Sequence, residues 1–243
     1  MIILAVGMPR AGSGWHYNLI HDLVVASGGK PSREIRREFH LEKVLTEVNC
    51  NIGALTLRRM LTVLPASMAG NRFVIKAHSG ATAVSDLFIQ TGRMQAAYIY
   101  RDPRDAMLSA MDFGKRTLEK GRPNAFSHLT DLDIAIDFML KYCKIWETWV
   151  SRKNVLCARY EDLLLEYDQE TGKLMKFLQL DIKKTDIKQV VEKYRPGQAK
   201  QSHDGLHFFK GQVGRFRERF SEKEQKKMVS KFGAYLDRMG YEK

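Results

Sequence analysis

Little in this chain suits it to a membrane, a disulfide framework or a structural metal. No apolar run approaches the ~20 residues that span a bilayer. The first run, Ile2 to Val6, is too short for the core of a signal peptide and has no basic segment before it. Cysteine is scarce: Cys50, Cys143 and Cys157 are widely spaced and form no C-x-x-C pair, which argues against disulfides and zinc and leaves core filling in a reducing compartment. A cytoplasmic protein without metal is expected. Acid is also short, with 28 Asp and Glu against 40 Lys and Arg, a net charge of +12 and a pI near 9.6. Such a surface attracts polyanions, from nucleic acid to a small ligand carrying several phosphates or sulfates. A concentrated basic run with interleaved aromatics is missing, so neither nucleic acid nor a membrane is expected as a partner. The clusters at Lys183–Lys184 and at Lys223, Lys226 and Lys227 read as solvated helix faces.

At 243 residues the chain has the size of one α/β unit, and residues 1–243 are read as a single domain. Its organising stretch is I-I-L-A-V-G-M-P-R-A-G-S-G-W, Ile2 to Trp15. A short aliphatic run ending at glycine predicts a buried strand. Gly7, Gly12 and Gly14 then let the backbone turn tightly, and from Trp15 the apolar residues Leu19, Leu23 and Ala26 recur at helical spacing. Strand, glycine loop and helix N-terminus make a phosphate cradle, because loop amides and the positive end of the macrodipole face one point. A nucleoside-triphosphate loop reads G-x-x-x-x-G-K-[ST]. Here Ser13 stands at the Lys and Gly14 at the magnesium-anchoring hydroxyl, which leaves Arg10 as the loop's cation. A phosphate compound handled without metal fits this composition, and so does a tight turn with no nucleotide.

Two more strands repeat the pattern. Phe73 to Ile75 runs into Lys76, Ala77 and His78, and Ala96 to Tyr100 runs into Arg101. Ligand crevices of open parallel sheets lie at the carboxyl ends of the strands, so Arg10, Lys76, His78 and Arg101 are expected at one edge. Asp102 is then placed to cap a helix with Pro103 at its first position and Ser109 about two turns on. Other helices are predicted over 33–48, over 52–64 with Pro65 as its stop, and over 82–90, 169–180 and 186–194. A long helix over 131–151 buries Leu132, Ala135, Ile136, Met139, Cys143, Trp146 and Val150. A terminal helix opens on the capping box of Ser221 and Glu224 and runs to about Met239. Val155 to Ala158 is the fourth strand.

With R-D-P-R-D-A-M-L-S, Arg101 to Ser109, on the page, the chain resembles the sulfotransferases that use 3′-phosphoadenosine 5′-phosphosulfate (PAPS). That segment matches the family's R-x-P-x-D-x-x-x-S, whose Arg and Ser bind the 3′-phosphate. P-R-A-G-S-G-W, Pro9 to Trp15, is similar to the P-K-S-G-T-T-W loop for the 5′-phosphosulfate, with Arg10 for its Lys. Lys76, Ala77 and His78 match K-T-H, which puts His78 at the place of the catalytic base. R-Y-E-D-L, Arg159 to Leu163, resembles the segment in which a Tyr like Tyr160 approaches the adenine nucleotide. F-K-G-Q-V-G-R-F, Phe209 to Phe216, resembles the R-K-G-x-x-G-D-W loop that closes over the 3′-phosphate.

The resemblance implies a P-loop NTPase-like α/β fold, three layers α/β/α around a central parallel sheet of four to five strands. It implies PAPS as cofactor with 3′-phosphoadenosine 5′-phosphate (PAP) as product, and in-line sulfuryl transfer to a hydroxyl or amine of a small-molecule acceptor, with carbohydrate as the next acceptor class. It assigns nucleotide binding to Arg10, Ala11, Gly12, Ser13, Gly14, Trp15, Arg101, Ser109, Tyr160, Lys210 and Gly211. Catalysis falls to His78 as base, Arg10 on the leaving phosphate and Lys76 near the transferred group.

The chain also departs from the family. Phe209 and Arg215 replace the Arg and Asp of the C-terminal loop, with Arg215 or Arg217 as substitute ligands, and the K-x-x-x-T-V-x-x-x-E dimer motif has no copy after it, which leaves the oligomeric state open. Trp15 packs either on adenine or in the core, and His16 is the second candidate for the base. Residues 195–214 read as a lid or a surface loop. The acceptor pocket is expected near 16–60, 112–128 and 195–209. Two other classes stand beside this reading: a P-loop nucleotide kinase relative, disfavoured by Ser13 and Gly14, and a non-catalytic basic module for nucleotides or polyanions.

Overall fold

The apolar hexapeptide near the start of the chain becomes β1 (Ile2–Gly7), and because both of its faces are apolar it takes an interior place in the sheet. The computed structural model describes residues 1–197 and 212–243. From β1 the chain runs through α1 (Ser13–Ala26), α2 (Ser32–Glu38) and α3 (Leu57–Met68) to β2 (Phe73–Ala77), and α4 (Ala83–Gln90) leads to β3 (Met94–Tyr100). Next come α5 (Pro103–Glu119), α6 (Leu132–Val150) and β4 (Val155–Arg159). The described remainder holds α7 (Tyr160–Leu165), α8 (Tyr167–Phe177), α9 (Thr185–Lys193), α10 (Phe216–Arg219) and α11 (Glu222–Met239).

The four strands are parallel in the order β2-β1-β3-β4, with Ile2 opposite Phe73 on one side and Met94 on the other. Strand alternation separates the two cores. Ile2, Leu4 and Val6, joined by Phe73, Ile75, Ala96 and Tyr98, pack against α3, α4, α5, α6 and α11. Ile3 and Ala5, joined by Val74, Ala97 and Ile99, pack against α1, α7, α8 and α9. The result is the three-layer α/β/α arrangement. Ile2, Ile3 and Leu4 are fully buried, and each such side chain contributes about 1.5–3 kcal/mol.

Helices begin where local capping chemistry allows. Asp102 accepts from Arg104 N, Asp131 from Ile134 N, and Ser221 with Glu224 forms the capping box expected of α11. Along α6 the buried face follows the expected spacing from Ala135 to Trp146 and then takes Trp149, while Leu132 is half-buried and Val150 is exposed. The stretch between α1 and β2 differs from the helices expected over 33–48 and 52–64. Helix α2 stops at Glu38, because the chain must reach the edge of β2, where Lys76 N donates to Cys50 C=O and Ile52 N to Lys76 C=O. That pairing also delays α3 to Leu57. Pro65 does not end α3 but lies inside it. The carbonyl that Pro65 leaves without a donor belongs to Leu61, an exposed residue on the solvent side of the helix, where the loss is tolerated.

Candidate active site

All four strands end on one edge, and the order turns about β1, so the crevice opens where Gly7, Ala77 and Tyr100 hand over to loops. After Gly7 the backbone makes two left-handed turns, at Arg10 (φ 64°) and Gly12 (φ 74°), with Ala11 N donating to Met8 C=O. A Cβ at Gly7 would meet Ile99 and Ser13, and one at Gly12 would lie 2.6 Å from the ring of Tyr160, so Gly7 and Gly12 are required by close approach. Gly12 caps α1 without a side-chain bond, and the first amide with a partner in the helix is His16 N, 2.9 Å from Gly12 C=O. The amides of Gly12, Ser13 and Gly14 come before it and no acidic residue sits in the first turn. An anion is the natural complement of such an end.

Cations crowd the same place. Arg10 spans from the loop to α5: its Nε donates to Ser109 Oγ at 3.2 Å, and its guanidinium lies 4.5 Å from the centroid of Phe113. Burial, then the charges of Arg116 and Arg101, draw its pKa from 12.5 to about 10. Lys76, buried at the end of β2, is drawn from 10.5 to about 8 by burial and by Arg10, and its ammonium has no ion pair or hydrogen bond among the described residues. Arg101 is buried at the end of β3, 4.5 Å from the Tyr160 ring; one of its amino groups donates to Asp105 Oδ2 and to Gln212 C=O, and its buried Nε has no hydrogen-bond partner among the described residues. Buried positive charge in excess of its carboxylates, around an uncapped helix start, fits a ligand with several negative charges.

Two neutral imidazoles stand in this field. His78 follows β2, and its Nδ1 is 2.6 Å from Gly7 C=O. A carbonyl only accepts, so Nδ1 carries the proton and Nε2 the lone pair. Burial and then Lys76 lower its pKa to about 4, against the pull of that hydrogen bond. His16, in the first turn of α1, is lowered by burial and Lys76 to about 3.

The structure therefore brings Arg10 to Ser109, Lys76 toward His78 and His16, and Arg101 to Tyr160, which itself covers Gly12. Trp15 sits beneath the loop among aromatic side chains. Its indole is buried, stacked on Tyr167 at 6.0 Å and edge-on to Tyr160, with Nε1 donating to Tyr194 C=O. Arg215 pairs with Asp112, and Arg217 is exposed beside Phe216. Lys210, Gly211 and most of the 195–214 segment lie outside the described residues. The sequence reading missed Phe113, which supports Arg10, and Asp105 and Glu161, buried carboxylates on either side of Arg101. Asp105 stands at the Asp of R-x-P-x-D-x-x-x-S and i, i+4 from Arg101, and Glu161 lies within R-Y-E-D-L, so the motifs contained both carboxylates without showing their contact with Arg101. Among the described residues no group of three or more His, Cys, Asp or Glu is placed to hold a metal ion, and no helix is long and apolar enough to cross a membrane.

The family model for the sulfotransferase domain matches residues 2–240. The chain belongs to the sulfotransferase family. Among its relatives, "Sulfotransferase 6B1" of Danio rerio is 22% identical over 241 residues, covering 93% of this chain and 75% of that protein. Mouse sulfotransferase SULT7A1, solved in complex with PAP, superposes with a TM-score of 0.62 at 16% identity, covering 97% of this chain and 83% of that one. Retinol dehydratase, solved with retinol and PAP, gives 0.64 at 17% identity, covering 97% and 81%. At these identities the solved structures establish the sulfotransferase fold, and membership of the family makes this sulfotransferase a sulfuryl-group transferase.

Proposed function

We propose that this sulfotransferase, acting as one domain over residues 1–243, moves the sulfuryl group of PAPS to a hydroxyl or amine of a small-molecule acceptor, with His78 as general base. The observation that carries this is the convergence of Arg10, Lys76 and Arg101 on the uncapped start of α1, with the lone pair of His78 at the same sheet edge. When bound, PAPS supplies an activated sulfuryl group on a phosphate leaving group. The amides of Gly12, Ser13 and Gly14 bind the 5′-phosphate, Ala11 shaping the loop through its N–H on Met8 C=O, and Trp15 holds the loop's shape from the core side. Arg101, Ser109, Lys210 and Gly211 bind the 3′-phosphate, and Tyr160 lies against the nucleotide. The buried Arg101 Nε, which makes no hydrogen bond among the described residues and has Glu161 Oε1 only at 4.0 Å, supports that assignment.

Arg10 neutralises charge that gathers on the departing phosphate, and Lys76 does so at the transferred group. Both charges are already in place and desolvated, so little reorganisation is needed. His78 removes the acceptor's proton through Nε2 while Nδ1 stays on Gly7 C=O. An anion seated against Lys76 cancels one of the two causes that depress His78, which makes the imidazole more basic once donor is bound.

Isothermal titration with PAP in the presence of EDTA tests the reading. Micromolar binding that Arg101→Ala and Ser109→Ala each weaken is the expected result. Absence of binding, or binding of ATP only with magnesium, overturns it and returns the loop to the nucleotide-kinase class.

A further inference from the structure

Asp105 lies one turn beyond Arg101, with its side chain wholly out of solvent. Its carboxylate accepts from three donors: Arg101 Nη2 at 3.2 Å, Gly214 N at 2.7 Å and Phe216 N at 3.1 Å. Arg101 Nη2 also donates to Gln212 C=O at 2.7 Å. Arg104 stacks over Phe216 at 4.1 Å, and Arg215 pairs with Asp112 at 2.7 Å. Residues 212–216 are thus fastened along the first turns of α5, and Asp105 is the point where this strap and Arg101 meet.

A carboxylate is an odd neighbour for an arginine that has to attract an anion, because it cancels part of the attraction. Its value here is geometric. It takes one edge of the guanidinium, satisfies two backbone amides of the strap, and leaves the buried Nε of Arg101, which makes no hydrogen bond among the described residues and has Glu161 Oε1 at 4.0 Å, for another acceptor. With Tyr160 against the flat face of the guanidinium and Asp105 on its edge, one side-chain conformation is enforced.

We propose that Asp105 is a positioning residue for the nucleotide's 3′-phosphate: by locking Arg101 to the 212–216 strap, it sets how strongly the site prefers adenosine nucleotides that carry that phosphate over those that lack it. Asp105 acts through Arg101 and touches no nucleotide. The inference rests on the nucleotide assignment made above.

The test is the ratio of affinities for PAP and adenosine 5′-monophosphate, by isothermal titration of the full chain. Asp105→Asn keeps the side chain's shape but turns one acceptor into an N–H₂ that faces N–H donors. About a tenfold loss for PAP, with adenosine 5′-monophosphate held within about twofold, is expected. In the Arg101→Ala background the same change should leave the ratio where Arg101→Ala put it. A variant that melts earlier yet keeps the wild-type ratio gives Asp105 a merely structural role and overturns the proposal. Wild-type protein that does not discriminate the two nucleotides overturns the 3′-phosphate assignment and this inference with it. If Asp105→Asn does not fold, Asp105→Glu, which keeps the charge and displaces it by one methylene, is read by the same ratio.

Discussion

His78 and Lys76 influence each other through protons. Lys76 has a folded-state value of about 8 against 10.5 when unfolded, so between those two pH values the unfolded chain holds more protons and this group makes stability rise with pH. Anion binding works in the other direction. A phosphate or sulfonate beside the ammonium raises its pKa, so PAP binding takes up a proton near pH 8 and affinity falls as pH rises through that value. Titrations in buffers of different ionisation enthalpy measure the uptake, and Lys76→Met should abolish it. Replacing His78 by Ala should lower turnover by roughly 10²–10⁴-fold while leaving PAP affinity unchanged. Loss of both in parallel shows instead that His78 supports the loop through Gly7.

At the scale of elements, what was legible followed from local chemistry. The caps at Asp102 and Ser221 are written in adjacent residues, as is the run of small and charged side chains from Gly7 to Gly14. The α2–α3 region was not legible, because its course depends on pairing between Asn51 and Lys76, which no window of a few residues contains. The side chosen by Trp15 was hidden for the same reason: Tyr167 and Tyr194 hold it from far along the chain. Of the site, the strand-end cations and His78 could be read from sequence, whereas the role of Asp105 behind Arg101 becomes visible only once the 212–216 segment is seen to lie on it. The loop makes its own prediction. Gly12→Ala forces a Cβ against Tyr160 in a left-handed conformation, which should cost about 1–3 kcal/mol and weaken PAP binding. Chemical denaturation and titration measure the two effects. Adding Tyr160→Ala relieves the clash but not the backbone strain, so part of the stability should return.

For the molecule as a whole, the buried imidazoles set an acid limit. His16 and His78 have folded-state values of about 3 and about 4, below the 6.5 of an unfolded histidine. Across that window the unfolded chain binds more protons, so their contribution is intact above pH 6.5 and is lost as pH falls toward 4. The urea midpoint should therefore drop between pH 7 and pH 5, and His16→Asn should reduce the drop. The net charge of +12 acts at longer range, and PAP affinity should fall as salt rises from about 0.05 to about 0.5 M. The order of the sheet has a consequence during synthesis. Of the four strands of this sheet β1 leaves the ribosome first, yet its two neighbours begin at Phe73 and Met94. Until both have emerged, an aliphatic segment with two unpaired edges must wait without partners, open to chaperones and to other nascent chains. Chains stalled before Tyr100 should aggregate or be held by ribosome-associated chaperones, and release should follow completion of β3.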